Sequence, residues 1–327
     1  MSETIVYSAK KIITMNPSRP EATHVAVRDG RILGAGSLSE LQTWGDVRLD
    51  ERFKDKVLMP GFVEGHAHVM EGSLWSKVYC GWFDRADPDG KLWSGVKSVD
   101  AVVERLRAAE AALEDPAAAV SGWQLDPIYM DNITVTRADL DRVSTTRPVG
   151  VLHASGHIMN VNTKALELAG MMKTGHNHPG IPLGADGLPT GELKGPEVMT
   201  PVGPFVGFER NLLDADEAGL RNFAKLCVRT GTTTITDLAS RMDEDTVDMM
   251  LRVTSEPHYP IRLMPFRFFL GLSAPELVET VLAMKKRATD RLRLGQIKIV
   301  VDGSIQGFSA RLRWPGYHNG APNGLWY

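Results

Sequence analysis

Cysteine is almost missing from this chain. Its two examples among 327 residues, Cys80 and Cys227, are too few and too far apart for a disulfide framework or a Cys-based metal knot. Long apolar runs are missing too. Nothing reaches the roughly 20 residues needed to cross a bilayer, and the opening MSETIVYSAKKIITMNP lacks the continuous apolar stretch of a secretory signal. The expected address is the cytoplasm, with no membrane partner. Positive charge is not in excess: Lys and Arg number 37 against 40 Asp and Glu, for a net charge of -3. No surplus is left to neutralise a phosphate backbone, which argues against nucleic acid as a partner. The compact basic run Lys285-Lys286-Arg287 lies in helix-like sequence and reads as a solvated face. A dinucleotide fingerprint is lacking as well, since Gly34-Ala35-Gly36 follows a strand without the third glycine at the required spacing.

What remains is ordinary globular material, 43% hydrophobic and 24% charged, long enough for a large core and more than one domain. It begins with β-type sequence. His24 to Gly34 reads as two short strands around Asp29-Gly30, a dipeptide suited to the positive φ angles of a tight hairpin, with Val25 and Val27 on one face. With Thr4 to Met15 before and Val47 to Asp50 after, residues 1–56 form a small β module. From Val57 onward strands alternate with helices. Ser98 is a cap candidate for an amphipathic helix carrying Val102, Val103 and Leu106. A second helix covers Glu217 to Arg229 and stops at Gly231, with Cys227 on an apolar stripe beside Leu220, Phe223 and Leu226. Strands are expected at Thr232–Asp237, Ile261–Leu270 and Gln296–Asp302, with a helix at Pro275–Arg287. This alternation predicts an α/β fold with parallel sheet, open or closed into a barrel. The segment between Val57 and Thr232 is far too long for a βα loop, so an inserted subdomain is expected at about residues 75–210. Its Gly/Pro-rich stretch TGHNHPGIPLGADGLPTGE reads as a long ordered loop over a site.

Gly65-His66-Ala67-His68-Val69 closes the apolar run Val57 to Val63. Alternate residues of a strand point the same way with Cα atoms about 6.5 to 7 Å apart, so His66 and His68 can converge on one ion. The plainer reading is two loop histidines, one exposed and one bonded to backbone. His176-Asn177-His178 has the same spacing but no strand to aim it. Lys298, interrupting Ile297 to Val301, favours the functional reading of the first pair, because a buried lysine must be paired or neutral. It could meet an acid such as Asp302; a neutral amine could instead take up CO2 as a carbamate, an anionic ligand with two oxygens.

Met59-Pro60-Gly61-Phe62-Val63-Glu64-Gly65-His66-Ala67-His68 resembles the first-strand signature of the amidohydrolase superfamily. SGHIMNVNTKALELAG (155–170), LPTGELKG (188–195), RTGTTTITD (229–237) and QIKIVVDGSIQG (296–307) resemble its amidohydrolase-3 branch, the group of N-substituted formamide deformylase-like enzymes. The resemblance covers nearly the whole chain. It implies a composite β-sandwich, here residues 1–56, beside a metal-dependent hydrolase (β/α)8 barrel begun by residues 57–327. It further implies His66 and His68 as metal ligands, Lys298 as the carbamate position, His157 facing the substrate and Asp237 lining the site. The cofactor expected is one or two divalent ions, zinc foremost. The reaction is hydrolysis of a small-molecule amide, formamide or cyclic amide by metal-activated water.

Departures from the pattern accompany these matches. Glu64 stands where Asp or Asn is usual, and Gly195 where Glu is frequent, leaving Glu192 and Glu197 as substitutes. After Lys298 only His318 offers another imidazole, and the general-base aspartate is expected beyond Tyr327. The chain is therefore expected to be the N-terminal portion of a longer polypeptide, inactive alone and prone to form homo-oligomers. A ligand-binding pseudoenzyme of the same fold, an open-sheet oxidoreductase and an interaction module are the alternatives. Trp75, Trp82, Trp93 and Trp123 are expected to pack the insertion or line an apolar pocket.

Overall fold

In a computed structural model, described for residues 2–131, 133–208, 215–305, 308, 310–318 and 320, the chain divides into two units, Met1–Val63 and Glu64–Tyr327. The first holds a four-stranded sheet in the order Arg31–Gly36, Glu21–Arg28, Thr4–Ile13, Val47–Leu58. The Asp29-Gly30 turn forms as expected, with φ of 51° and 72° at its two residues, the positive pair that matches the twist of the flanking strands. Val25 and Val27 share a face, but the fully buried residue is Ala26 between them. Val6 lies opposite Ala26, and Leu41 packs on both. The last strand runs from Val47 to Leu58, through residue 56.

The second unit is α/β. One sheet places Phe62–Ala67, Thr232–Ser240, Arg262–Phe268 and Gln296–Lys298 side by side in that order, and the last three strands run parallel. Among the described residues the four strands do not close into a barrel. Helices Glu217–Thr230, Glu244–Thr254 and Ala274–Lys285 connect them. Asp216 caps the first, accepting from Gly219 N, and Gly231 ends it at φ 74°, a left-handed position that costs glycine nothing. Cys227, Leu220 and Phe223 are buried against Ile235 and Leu263. Arg287, at the close of the basic run, pairs with Glu244 and Asp248.

The expected Gln296–Asp302 strand is shorter than its apolar pattern: pairing stops at Lys298. Its neighbour strand ends at Phe268, opposite Lys298, and Ile299 and Val301 are 64% and 60% exposed. A β pattern extends a strand only while a neighbour receives its hydrogen bonds. The Phe62–Ala67 strand is likewise exposed along most of its length, where its apolar sequence predicts burial.

Between Ala67 and Glu217 lies a mixed five-stranded sheet, ordered Glu192–Lys194, Ile158–Val161, Val149–His153, Val120–Leu125, Val78–Tyr79. Trp123, Leu152, Met159 and Leu193 fill one core. Cys80, Val151 and Leu106, the last from the helix that Ser98 caps, fill another. Trp75 and Tyr79 meet Trp123 edge to face, so these rings pack the insertion. No helix of the described residues is long and apolar enough to cross a membrane.

Candidate metal centre

His66 lies in the Phe62–Ala67 strand and His68 directly after its end. Glu64 accepts the His66 backbone N–H through Oε1 at 2.9 Å, a carboxylate clamp on its own strand that a shorter acid would have to remake. Thr236 Oγ1 donates to the Glu64 carbonyl at 3.2 Å, which ties the first strand to the second. Buried Val69 then anchors the chain as it leaves the sheet. Open space surrounds Gly65, so crowding does not demand glycine there.

The rings of His66 and His68 lie 5.4 Å apart, nearly perpendicular. Two other groups from distant parts of the chain act on His68: Lys298, at the end of the fourth strand, and His157, from the hairpin between Val149–His153 and Ile158–Val161. His157 is held by its neighbours, its N–H donating to Ser155 Oγ at 3.3 Å and its carbonyl accepting from Gly195 N at 2.9 Å. Asp237, in the second strand, has a carboxylate oxygen 3.9 Å from His68 Nδ1. Of the five residues singled out from the sequence, His66, His68, Asp237 and Lys298 thus lie on or next to strands of one sheet, and His157 acts on His68 from a hairpin of the other.

Other candidates do not join them. His176 Nε2 bonds the Met171 carbonyl, and His178 Nδ1 accepts Gly180 N–H, so the second histidine pair holds its own loop. Glu192 pairs with Lys194 at 2.9 Å, Glu197 and His318 are exposed, and Asp302 accepts the Arg311 N–H. Among the described residues no three His, Cys, Asp or Glu side chains group closely enough to hold a metal, and no acid pairs with Lys298. The donors present are two imidazoles, one lysine amine and a third imidazole nearby. His68 Nδ1 is a buried polar atom without a hydrogen bond. A borderline divalent cation suits these nitrogen donors, and a carbamate on Lys298 would add oxygens.

The electrostatics favour neutral ligands. Burial first, then the charges of His66, Lys298 and His157, lower the His68 pKa from 6.5 to about 4. Burial lowers that of His157 as well. A ligand imidazole must be unprotonated, and His68 is so at neutral pH. In the metal-free protein the His68 ring signal should therefore titrate near pH 4, as read by NMR. The sign follows from linkage: between about pH 6.5 and 4 the unfolded chain binds a proton that the folded one refuses. Stability present above pH 6.5 is lost as pH falls towards 4. A midpoint near 6.5 would contradict the packing described around this ring.

A family model described as "Amidohydrolase family" matches residues 54–320. Among curated proteins the chain is 27% identical over 311 residues to "Protein LONG AFTER FAR-RED 3" of Arabidopsis thaliana, covering 91% of this chain and 50% of the relative. It is also 27% identical over 333 residues to "Putative amidohydrolase YtcJ" of Bacillus subtilis (strain 168), covering 96% and 57%. The chain thus spans about half the length of these relatives. Two solved structures share the fold: uncharacterized metal-dependent hydrolases from Pyrococcus horikoshii, with TM-score 0.64 and 16% identity over 99% of this chain and 60% of the other, and from Pyrococcus furiosus, with TM-score 0.60 and 18% identity over 99% and 62%.

Proposed function

This chain belongs to the amidohydrolase family, and from that premise we propose that it serves a metal-dependent hydrolase acting on carbon–nitrogen bonds other than peptide bonds. Amides, formamides and cyclic amides are the substrate class. The observation that carries this reading is that His66 and Lys298, near strand ends of an α/β sheet, and His157, from a hairpin of the insertion, all act on His68, and strand ends are the place where such folds bind ligands.

In this reading His66, His68 and Lys298 hold the ion, with zinc as the natural choice for neutral imidazoles. In that reading the neutral amine of Lys298 adds its nitrogen to the carbon of CO2 and releases one proton to solvent, giving a carbamate whose single negative charge is shared by two oxygens. When bound, a divalent ion supplies Lewis acidity that polarises the scissile carbonyl and acidifies water. The chain's own groups do the rest. His157, kept neutral by burial, orients the substrate by a hydrogen bond, and Glu64 keeps the His66 backbone in place through its clamp. Asp237 is fully buried, so we place it behind His68, away from the substrate.

We read the four-stranded sheet as the first half of a (β/α)8 barrel within residues 57–327, interrupted at about 75–210, and residues 1–56 as part of a composite β-sandwich. The general-base aspartate then belongs to further barrel strands, in keeping with the chain's coverage of 50% and 57% of its curated relatives. A second reading, a ligand-binding protein of the same fold without turnover, is favoured by the lack of a three-carboxylate-or-imidazole group among the described residues.

The test is to take the full-length polypeptide, including the further barrel strands, strip it with chelator, restore Zn²⁺, and follow bound metal together with hydrolysis of N-formyl, linear and cyclic amides. The expected result is bound zinc, with turnover lost on chelation and regained on repletion. Bound metal without turnover of any substrate would select the binding-protein reading. Failure to bind metal at all would overturn both the ion assignment and the hydrolase.

A further inference from the structure

Asp237 is a charged residue in an odd place. It sits within the β-branched strand Thr232–Ser240 and is fully buried, where a carboxylate is held by specific contacts. The bond from Thr236 Oγ1 to the Glu64 carbonyl fixes the second strand beside the first. Asp237, the next residue, has its carboxylate oxygen 3.9 Å from His68 Nδ1.

His68 offers the complementary feature. Its side chain is 42% exposed, yet Nδ1 is buried and makes no hydrogen bond. The open part of the ring therefore lies on the side away from Nδ1, where Nε2 is. A neutral imidazole carries one N–H and one lone pair, and the partner of one nitrogen decides which is which. A charge-assisted N–H···O bond spans about 2.7 to 2.9 Å, so the 3.9 Å gap closes with about an ångström of ring movement. A carboxylate facing Nδ1 favours the proton there, which leaves the Nε2 lone pair directed at the open side.

We infer that Asp237 is a positioning residue whose carboxylate holds His68 in the Nδ1–H tautomer and so presents its Nε2 lone pair to the metal centre. The identity of what Nε2 faces rests on the proposed function. The tautomer does not: it belongs to the metal-free chain. A ring free to carry its proton on Nε2 would have no lone pair aimed outward, and the ligand would be lost for part of the time without any change of fold.

The experiment reads tautomers in the full metal-free chain at neutral pH, by NMR of isotope-labelled imidazole nitrogens, with His68 assigned by comparison with His68→Ala. In the native protein His68 should show the Nδ1–H pattern. Asp237→Asn, which retains an acceptor oxygen, should keep it, whereas Asp237→Leu, similar in size and without an acceptor, should move the proton to Nε2. Zn²⁺ affinity, measured by competition with a chelator, should fall about 10- to 100-fold in Asp237→Leu, as for other groups that orient metal ligands, and less in Asp237→Asn. An Nε2–H pattern in the native protein overturns the inference without reference to any variant. So does an unchanged pattern in a folded Asp237→Leu protein. If native protein binds no Zn²⁺ but shows the Nδ1–H pattern and its shift, the positioning role stands and the metal reading falls.

Discussion

In the full-length enzyme, alanine in place of His66 or His68 should remove the divalent ion and lower turnover about a thousandfold or more, a loss of roughly 4 kcal/mol in transition-state stabilisation, the scale of a metal's Lewis-acid contribution. The two imidazoles approach each other at 5.4 Å between ring centres, and neither has a structural task that would explain a general collapse. His66 is exposed, and His68 Nδ1 makes no hydrogen bond. Melting temperature should therefore move little in the metal-free state, while bound metal, measured by elemental analysis, falls away. The control is already in the chain. Alanine at His176 or His178 removes one loop bond to backbone, costing about 1 kcal/mol, and should leave metal content and turnover near native. Full metal and full turnover in His68→Ala would sink the site as described.

The second large effect falls on the insertion. Trp123→Ala should cost about 3 to 5 kcal/mol, the range for deleting a fully buried tryptophan. Trp123 is 1% exposed and meets Trp75 at 5.1 Å and Tyr79 at 5.6 Å, both edge to face. The Arg85 guanidinium lies over the Trp75 and Trp123 rings at 5.7 and 5.9 Å and pairs with Glu71 at 2.6 Å. Removing the indole empties the centre of this cluster. Trp123→Phe should cost much less, since the indole N–H makes no hydrogen bond and most of the ring contact is kept. Denaturant midpoints of the two variants measure the difference. Because His157 hangs from the same sheet, Trp123→Ala should weaken substrate binding more than metal binding. Equal midpoints for the two variants would mean that the ring cluster does not hold this sheet together.

Much of this was legible because it is local. The Ser98 cap, the Gly231 stop and the Asp29-Gly30 turn each depend on a few adjacent residues whose backbone preferences act without help. Cys227, Leu220 and Phe223 are one helical face wherever that helix packs. Less legible were burial and strand length. Ile299 and Val301 read as a buried strand, yet pairing ends at Lys298, because an apolar alternation states what a strand could bury and not whether a neighbour is present. In the same way Val25 and Val27 outweigh Ala26 in apolarity, but Ala26 is the residue under Leu41.

The order of residues alone predicted His66 and His68 on one side of a strand end, since a period of two is a property of the backbone; the strand stops at Ala67, one residue before His68. Residue order also determined that Lys298 stands at odds with its apolar neighbours. Only the tertiary structure decided that Lys298 and His157 act on His68 and that Asp237 lies 3.9 Å from its Nδ1, with no surface of its own. These groups lie far apart along the chain, and no local preference encodes their meeting. Sheet order brings Asp237 and Lys298 to it, and the packed core of the insertion supports the hairpin that carries His157.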